Sequence, residues 1–176
     1  MTDHIEPDLV VLVDERDQAV GTLGKYNAHV DPGYLHRAVS VCLLDQLGRI
    51  LLQQRASSKY HFAGLWSNAC CTHPSPSETP AESAIRRTRE ELGLEVSALE
   101  YRGSFIYRAF DRSTGLVEVE LDHVYLGTVD TEPRPDPREV MDWRFVDATV
   151  SELDAFRTCR YTPWLYDVLL RSLQDT

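Results

Sequence analysis

His29, His36 and His73, together with Glu118 and Glu120, are the side-chain types from which a divalent-cation site is built. His29 and His36 stand seven residues apart around Asp31-Pro32-Gly33, a turn that keeps them off any one helix. His73 lies in the run CCTHP. Glu118 and Glu120 form an E-x-E pair, and residues two apart on a strand project to the same side. Imidazoles with carboxylates suit Zn²⁺, Mn²⁺ or Mg²⁺. Taken singly, each residue also fits a solvated or core-satisfied group, and spacing alone does not bring the five together.

A second acidic group, Glu78, Glu90 and Glu91, brackets the segment TPAESAIRRTREEL. Glu91 follows Arg87 by one helical turn. That spacing fits an ordinary i,i+4 ion pair and also a carboxylate that holds Mg²⁺ against a diphosphate. Lys25, Arg55, Lys59, Arg86 and Arg87 are five of only 18 basic residues in an acidic chain. Arg55 and Lys59 flank Ala56-Ser57-Ser58 after an apolar run, where they serve as an anion clamp or as plain surface charge. In NACCTHP, alternation of an extended segment sends Cys70 and Cys71 to opposite sides and Cys71 and His73 to one side. A thiol beside a carboxylate can give or take a proton; otherwise it is a small buried hydrophobe, the reading given to Cys42 and Cys159. Tyr107 and Trp164 are core aromatics by default, although an open ring face can stabilise a cation.

The elements that must position these groups are strands and a few helices. The apolar runs Leu9–Val13, Ala38–Leu44, Ile50–Gln54 and Val117–Val129 read as strands. Asp45–Gly48 is a turn joining the second and third, and Arg112–Gly115 a turn before the strand with the E-x-E pair. Residues 79–92 read as a helix: Thr79 is the N-cap, Pro80 the first helical residue, and Glu82 completes a capping box. Ala81, Ala84, Ile85, Thr88 and Leu92 form its expected apolar face, and Gly93 its stop. A last helix is expected from Thr162-Pro163 to Leu173, with Trp164, Leu165, Val168, Leu169 and Leu173 inward. Thr131–Glu139 is a Pro-rich surface loop. The expected class is α/β or α+β, a mixed β-sheet flanked by helices in a sandwich, with residues 1–176 as one domain.

Bulk properties narrow the partners. The 176 residues carry a formal net charge of -10, which disfavours nucleic acid and anionic membrane as partners. An anionic ligand therefore needs a locally basic pocket. No apolar run approaches spanning length, so no membrane insertion is expected, and MTDHIEPDLV lacks the pattern of a secretory leader. The adjacent pair Cys70–Cys71 is a poor disulfide framework, which points to a reducing, cytoplasmic setting.

The motifs HVDPGYLH, RASSKYHFAGLWSNACCTHP, REELGL, VEVE and YTPW resemble, in order and spacing, the type I isopentenyl-diphosphate isomerases of the Nudix superfamily. The resemblance runs from about Val10 to Trp164. It implies a Nudix-like sandwich that turns isopentenyl diphosphate into dimethylallyl diphosphate, with a small isoprenoid diphosphate as partner. It also implies that His29, His36, His73, Glu118 and Glu120 bind one Mn²⁺, Zn²⁺ or Mg²⁺. Cys71 and Glu120 become the acid–base pair, Tyr107 the assistant in proton transfer and Trp164 the indole over the reacting carbons. Glu91 and the backbone carbonyl of Cys71 would hold a Mg²⁺ that arrives with the diphosphate, and Lys25, Arg55, Lys59 and Arg87 would contact its oxygens. Thr72 stands where bacterial members often have Gly, and Val119 where they have Asn. Against the Nudix box, G-x5-E-x7-R-E-U-x-E-E-x-G-U, the chain keeps Glu78, Arg86, Glu90, Glu91 and Gly93. It has Thr72 for the first Gly, Arg87 for a Glu and Thr88 for the apolar position. Loss of that Glu removes a ligand typical of pyrophosphate hydrolysis. The rival readings are a Nudix pyrophosphohydrolase, an isomerase-like enzyme for a longer prenyl diphosphate, and a non-catalytic module with a structural metal.

Overall fold

The structure is a computed structural model that describes residues 8–147 and 149–174. The segment MTDHIEP, read above for leader features, lies outside the described residues. The elements run β1 (Leu9–Val13), β2 (Ala19–Gly24), α1 (Lys25–Ala28), β3 (His36–Leu44), β4 (Ile50–Arg55), β5 (Trp66–Ser67) and β6 (Cys70–Thr72). They continue with α2 (Pro80–Leu92), β7 (Glu100–Asp111), β8 (Leu116–Thr128), β9 (Val140–Val146), a 3-10 turn (Val150–Phe156) and α3 (Leu165–Leu173).

Strand β3 is the organiser. Its sequence, HRAVSVCLL, is buried almost throughout, as a strand covered on both faces must be. One edge pairs in parallel with β8 along its whole length, in the register His36↔Glu120 to Leu44↔Thr128. The other edge meets β1 at His36, β6 at Val39–Val41 and β4 at Leu44 in succession. The remaining strand pairs are antiparallel, so the sheet is mixed. Alternation along β3 divides the core in two. Val39, Val41 and Leu43 pack with Ala84, Leu92 and Leu94 on the α2 side. Cys42 packs with Ile50, Leu52, Leu165 and Leu169 on the α3 side. Helices thus cover both faces, the sandwich expected from the sequence.

Helix α2 begins and ends where its chemistry says. The Thr79 side chain accepts from the Glu82 backbone N–H, and Glu82 reaches back to the Thr79 N–H at 2.8 Å. Gly93 terminates the helix at φ 64°, with its N–H on the Arg89 carbonyl. A Cβ there would lie 2.7 Å from the Arg134 carbonyl oxygen, so only glycine fits both the conformation and the space. We expect Thr79→Ala to cost about 1 kcal/mol in chemical denaturation, the usual value of a lost N-cap.

Several expectations are corrected. Ile85 is exposed on α2, and Ser83 and Glu91 are buried with Ala84, Thr88 and Leu92 instead. The inward face is rotated toward Glu91, which lines the site described below. Helix α3 starts at Leu165, so Trp164 is its N-cap, one residue outside the helix but buried with Val168 as expected. Strands β2, β7 and β9 were not expected. Fully buried positions are rare in all three, so their apolar alternation is weak.

Candidate functional site

The strand pairing sets the core of the site. Glu118 and Glu120 project to one side of β8, and the parallel register puts His36 directly beside Glu120. Gly33 lets the turn before β3 fold down onto β8. It sits at φ 78°, and a Cβ there would come within 2.6 Å of Val119 Cγ2. Val119 therefore points at this turn and away from the two glutamates. The close approach is fixed by the His29 carbonyl, which accepts from the Val117 N–H at 2.8 Å. We expect Gly33→Ala to cost about 1–3 kcal/mol through overpacking, and more through its positive φ. It would also displace His29 and His36, so the same variant should bind divalent metal more weakly in a chelator-competition titration.

The ligand atoms offered by His29, His36, His73, Glu118 and Glu120 all lie within 4.8 Å of one another. All but His73 are buried outright. His29 Nδ1 pairs with the Lys25 carbonyl at 2.6 Å and His36 Nδ1 with the Tyr34 carbonyl at 2.7 Å. A carbonyl only accepts, so each Nδ1 carries the hydrogen and each Nε2 presents a lone pair to the cluster. His29 Nε2 and Glu118 Oε2 approach to 2.8 Å, yet neither makes a well-formed hydrogen bond, and His36 Nε2 is also without one. Inward lone pairs from imidazoles whose outer nitrogens are anchored are the arrangement of ligands around a shared cation. The donor set fits a divalent ion.

Electrostatics agree with that geometry. Burial, with the neighbouring Glu120 charge, pushes the Glu118 carboxyl up. Burial works against the Glu120 anion as well, but the His36 and His73 imidazoles hold its pKa well below the usual range. His73 Nε2 lies 2.8 Å from Glu120 Oε1, and Tyr107 donates its hydroxyl to Glu120 Oε2 at 2.5 Å. Burial lowers His73 itself well below the ordinary imidazole value.

Cys71 faces the α3 side and Cys70 the α2 side, as alternation requires. The Cys71 sulfur accepts the Trp164 indole N–H at 3.1 Å, and burial pushes its thiol up to about 11. The Trp164 ring lies 5.8 Å from the Tyr107 ring and meets Phe62 edge-on at 5.2 Å. Cys71, Glu120, Tyr107 and Trp164 line one narrow cavity of about 50 Å³ with Glu91, Arg87 and Arg55. It adjoins a wider pocket of about 410 Å³ lined by Lys25, Lys59, Arg86, Arg87 and Arg138. An acidic chain has gathered five cations at this one mouth.

The basic residues differ in how far they are committed. Arg55 is buried and donates from Nε to the Phe62 carbonyl at 3.1 Å and from Nη2 to the His61 carbonyl at 3.0 Å. It clamps a loop as well as lining the cavity. Lys25 Nζ stands 3.3 Å from Asp8. Arg87 pairs with Glu91 at 2.7 Å and with Glu139 at 3.1 Å, and Lys59 pairs with Glu139 too. Glu91 is 1% exposed, and Gln53 Nε2 stands 3.5 Å from its Oε2.

Four further residues belong to this site and were not read from the sequence. Glu139 leaves the Pro-rich loop to hold Lys59 and Arg87. His61 sets its Nε2 against Glu118, and burial with the Arg55 charge pushes its imidazole down to about 2. Asp122 accepts from Ser40 Oγ at 2.7 Å, and burial drives its carboxyl well above the usual range. Asn68 touches Cys71. Of these, only Asp122 had a signal: it continues the period of two set by Glu118 and Glu120.

Comparison with known proteins follows the same line. The family model described as NUDIX domain matches residues 34–164. The curated isopentenyl-diphosphate Delta-isomerase of Nocardia farcinica is 52% identical over 161 residues, covering 91% of each chain. Its namesake in Streptomyces griseus is 47% identical over 165 residues, 93% of this chain and 83% of that one. Isopentenyl-diphosphate Delta-isomerase 1 of Aromatoleum aromaticum is 47% identical over 159 residues, 90% of this chain and 88% of that one. Among solved structures, the Deinococcus radiodurans protein DR0079 superposes with a TM-score of 0.74 at 20% identity, covering 94% of this chain and 99% of that one. The MutT protein of Methanosarcina mazei follows with a TM-score of 0.64 at 17% identity, covering 78% and 91%. These two likenesses speak for the fold alone. With a sheet built around β3 and β8, and relatives near half identity over most of its length, the chain belongs to the Nudix superfamily and, within it, to the isopentenyl-diphosphate Delta-isomerases.

Proposed function

We infer that the chain isomerises isopentenyl diphosphate to dimethylallyl diphosphate by adding a proton at C4 and removing one from C2. The observation that carries this reading is the meeting of the His/Glu cluster, the Cys71 thiol and the Glu120–Tyr107 pair in one cavity beside a ring of cations. The relatives' names supply the substrate.

Protonation of an unactivated alkene gives a tertiary cation at C3. Two acid–base groups on opposite faces accomplish the transfer without turning the substrate. Cys71 serves one face through Sγ and Glu120 the other, with the Tyr107 hydroxyl hydrogen-bonded to the carboxylate. The Trp164 ring offers its negative π face to the cation, worth about 2 kcal/mol in a desolvated site. The aromatic wall of Phe62, Tyr107 and Trp164 excludes the water that would capture the cation as an alcohol.

His29, His36, His73, Glu118 and Glu120 hold one Mn²⁺, Zn²⁺ or Mg²⁺. When bound, that ion supplies the positive charge that makes two adjacent buried carboxylates tolerable and fixes the orientation of Glu120. Glu91 and the Cys71 carbonyl hold the Mg²⁺ of the diphosphate. Lys25, Arg55, Lys59 and Arg87 grip its oxygens, with Arg87 and Lys59 exchanging Glu139 for phosphate. Binding energy from the diphosphate then positions a hydrocarbon that has no polar handle of its own. A reducing, cytoplasmic setting suits four cysteines that are all free. No helix among the described residues is long and apolar enough to cross a membrane.

Proton NMR of isopentenyl diphosphate with the enzyme and Mg²⁺ in D₂O tests the function. The expected result is dimethylallyl diphosphate carrying solvent deuterium on carbon, with the diphosphate intact. Release of phosphate with no carbon-bound deuterium would instead mark a pyrophosphohydrolase.

A further inference from the structure

Asn68, fully buried between β5 and β6, has both ends of its amide engaged. Its Nδ2 donates to the Val41 carbonyl at 3.1 Å and to the Cys70 carbonyl at 2.8 Å. Its Oδ1 accepts from Ser67 Oγ at 3.1 Å and from Cys71 Sγ at 3.0 Å. Reversing the amide would set its oxygen against two carbonyl oxygens, so only one orientation is open to it. The atom facing the sulfur is therefore an acceptor, and the single hydrogen of the thiol is the one shared between them.

On another side the sulfur accepts the Trp164 Nε1–H at 3.1 Å. The hydroxyls of Ser40 and Ser67 stand 3.6 Å from it, and Ser40 already gives its hydrogen to Asp122. A thiol that donates to an amide oxygen and accepts from an indole has neither its χ1 nor its S–H rotor free. The anchors of Asn68 are the backbones of β3 and β6, at the paired residues Val41 and Cys70. Its hold on the thiol is thus referred to the sheet and not to a mobile loop.

We propose that Asn68 is a positioning residue for Cys71: its amide oxygen holds the thiol hydrogen and, with the Trp164 indole, fixes the sulfur in the orientation that faces the cavity. This rests on the role inferred above for Cys71, but the bond itself is open to a measurement that needs no substrate. Raman spectra of the whole protein contain an S–H stretching band for each thiol, and subtraction of the Cys71→Ser spectrum isolates that of Cys71. The band is expected below the position of an unbonded thiol. In Asn68→Ala it should rise toward that position, with kcat falling about 10- to 100-fold and KM for isopentenyl diphosphate nearly unchanged. A purely structural role would leave the band where it is. If the wild-type band already lies at the unbonded position, or kcat of folded Asn68→Ala matches wild type, the proposal is overturned. Should Asn68→Ala fail to fold, the wild-type band alone decides. A displaced band together with an active Cys71→Ala would overturn the catalytic role of Cys71 and leave the Asn68 bond standing.

Discussion

Cys71→Ala is expected to lower kcat for isopentenyl diphosphate by about 10²- to 10⁴-fold, the usual range for loss of a positioned acid–base group. The fold and the metal content should be unchanged. The thiol is not among the five clustered ligands, and it packs in a small apolar group with Phe62, Val124 and Trp164 that tolerates a methyl. Circular dichroism and elemental analysis of the variant separate this result from misfolding or metal loss. Because Cys71 touches neither Lys59 nor Arg87 through its side chain, KM should move far less than kcat. A variant that remained as active as wild type would remove Cys71 from the chemistry and leave Glu120 and Tyr107 to act alone.

The second large effect concerns the ion. Stripping it with a chelator should bring turnover to background, and adding back Mn²⁺, Zn²⁺ or Mg²⁺ should restore it. The stripped chain is expected to stay folded, because β3 and β8 pair along nine residues and both cores are independent of the cluster. It will be less stable by mass action, by about 2.7 kcal/mol against a holoprotein held at free ion 100 times its Kd. The loss of counter-charge at two buried carboxylates is one source of that difference and is already contained in it. Paired thermal melts and activity assays distinguish the outcomes. Full unfolding on chelation would mean a structural metal, and full activity without metal would discard the proposed centre.

Much of the fold can be read from local chemistry, and the reasons for the exceptions are physical. Helix α2 was legible to its caps because Thr79, Pro80, Glu82 and Gly93 act within one or two turns of themselves. Strands β1, β3, β4 and β8 are buried runs and were placed to within two residues. Strand β7 is not legible because only Ala109 and Asp111, near its end at the turn, are buried, so that its place comes from pairing with β8 and not from its own pattern. The five ligand-type residues could be named but not brought together, since their meeting depends on the parallel register of β3 on β8. That register is a long-range property, and only the family resemblance supplied it. Glu139 lies outside the matching motifs, and His61 and Asn68 lie inside one that assigns them no role. Each reaches the site from a loop whose course is set by its contacts, as with Phe62, which is held at φ 47° with its N–H on Asp111.

One hydrogen bond links the two halves of the site. The Lys25 backbone carbonyl anchors His29, while the Lys25 ammonium lines the pocket assigned to the diphosphate. The α1 backbone that anchors His29 therefore also carries the stem of that amine, so the two halves share a support. Linkage makes any coupling through this support symmetrical: the factor by which a bound cation sharpens the grip on pyrophosphate is the factor by which pyrophosphate tightens the binding of that cation. Occupancy of the centre is then expected to depend on substrate supply, which titrations of the ion with and without pyrophosphate would read.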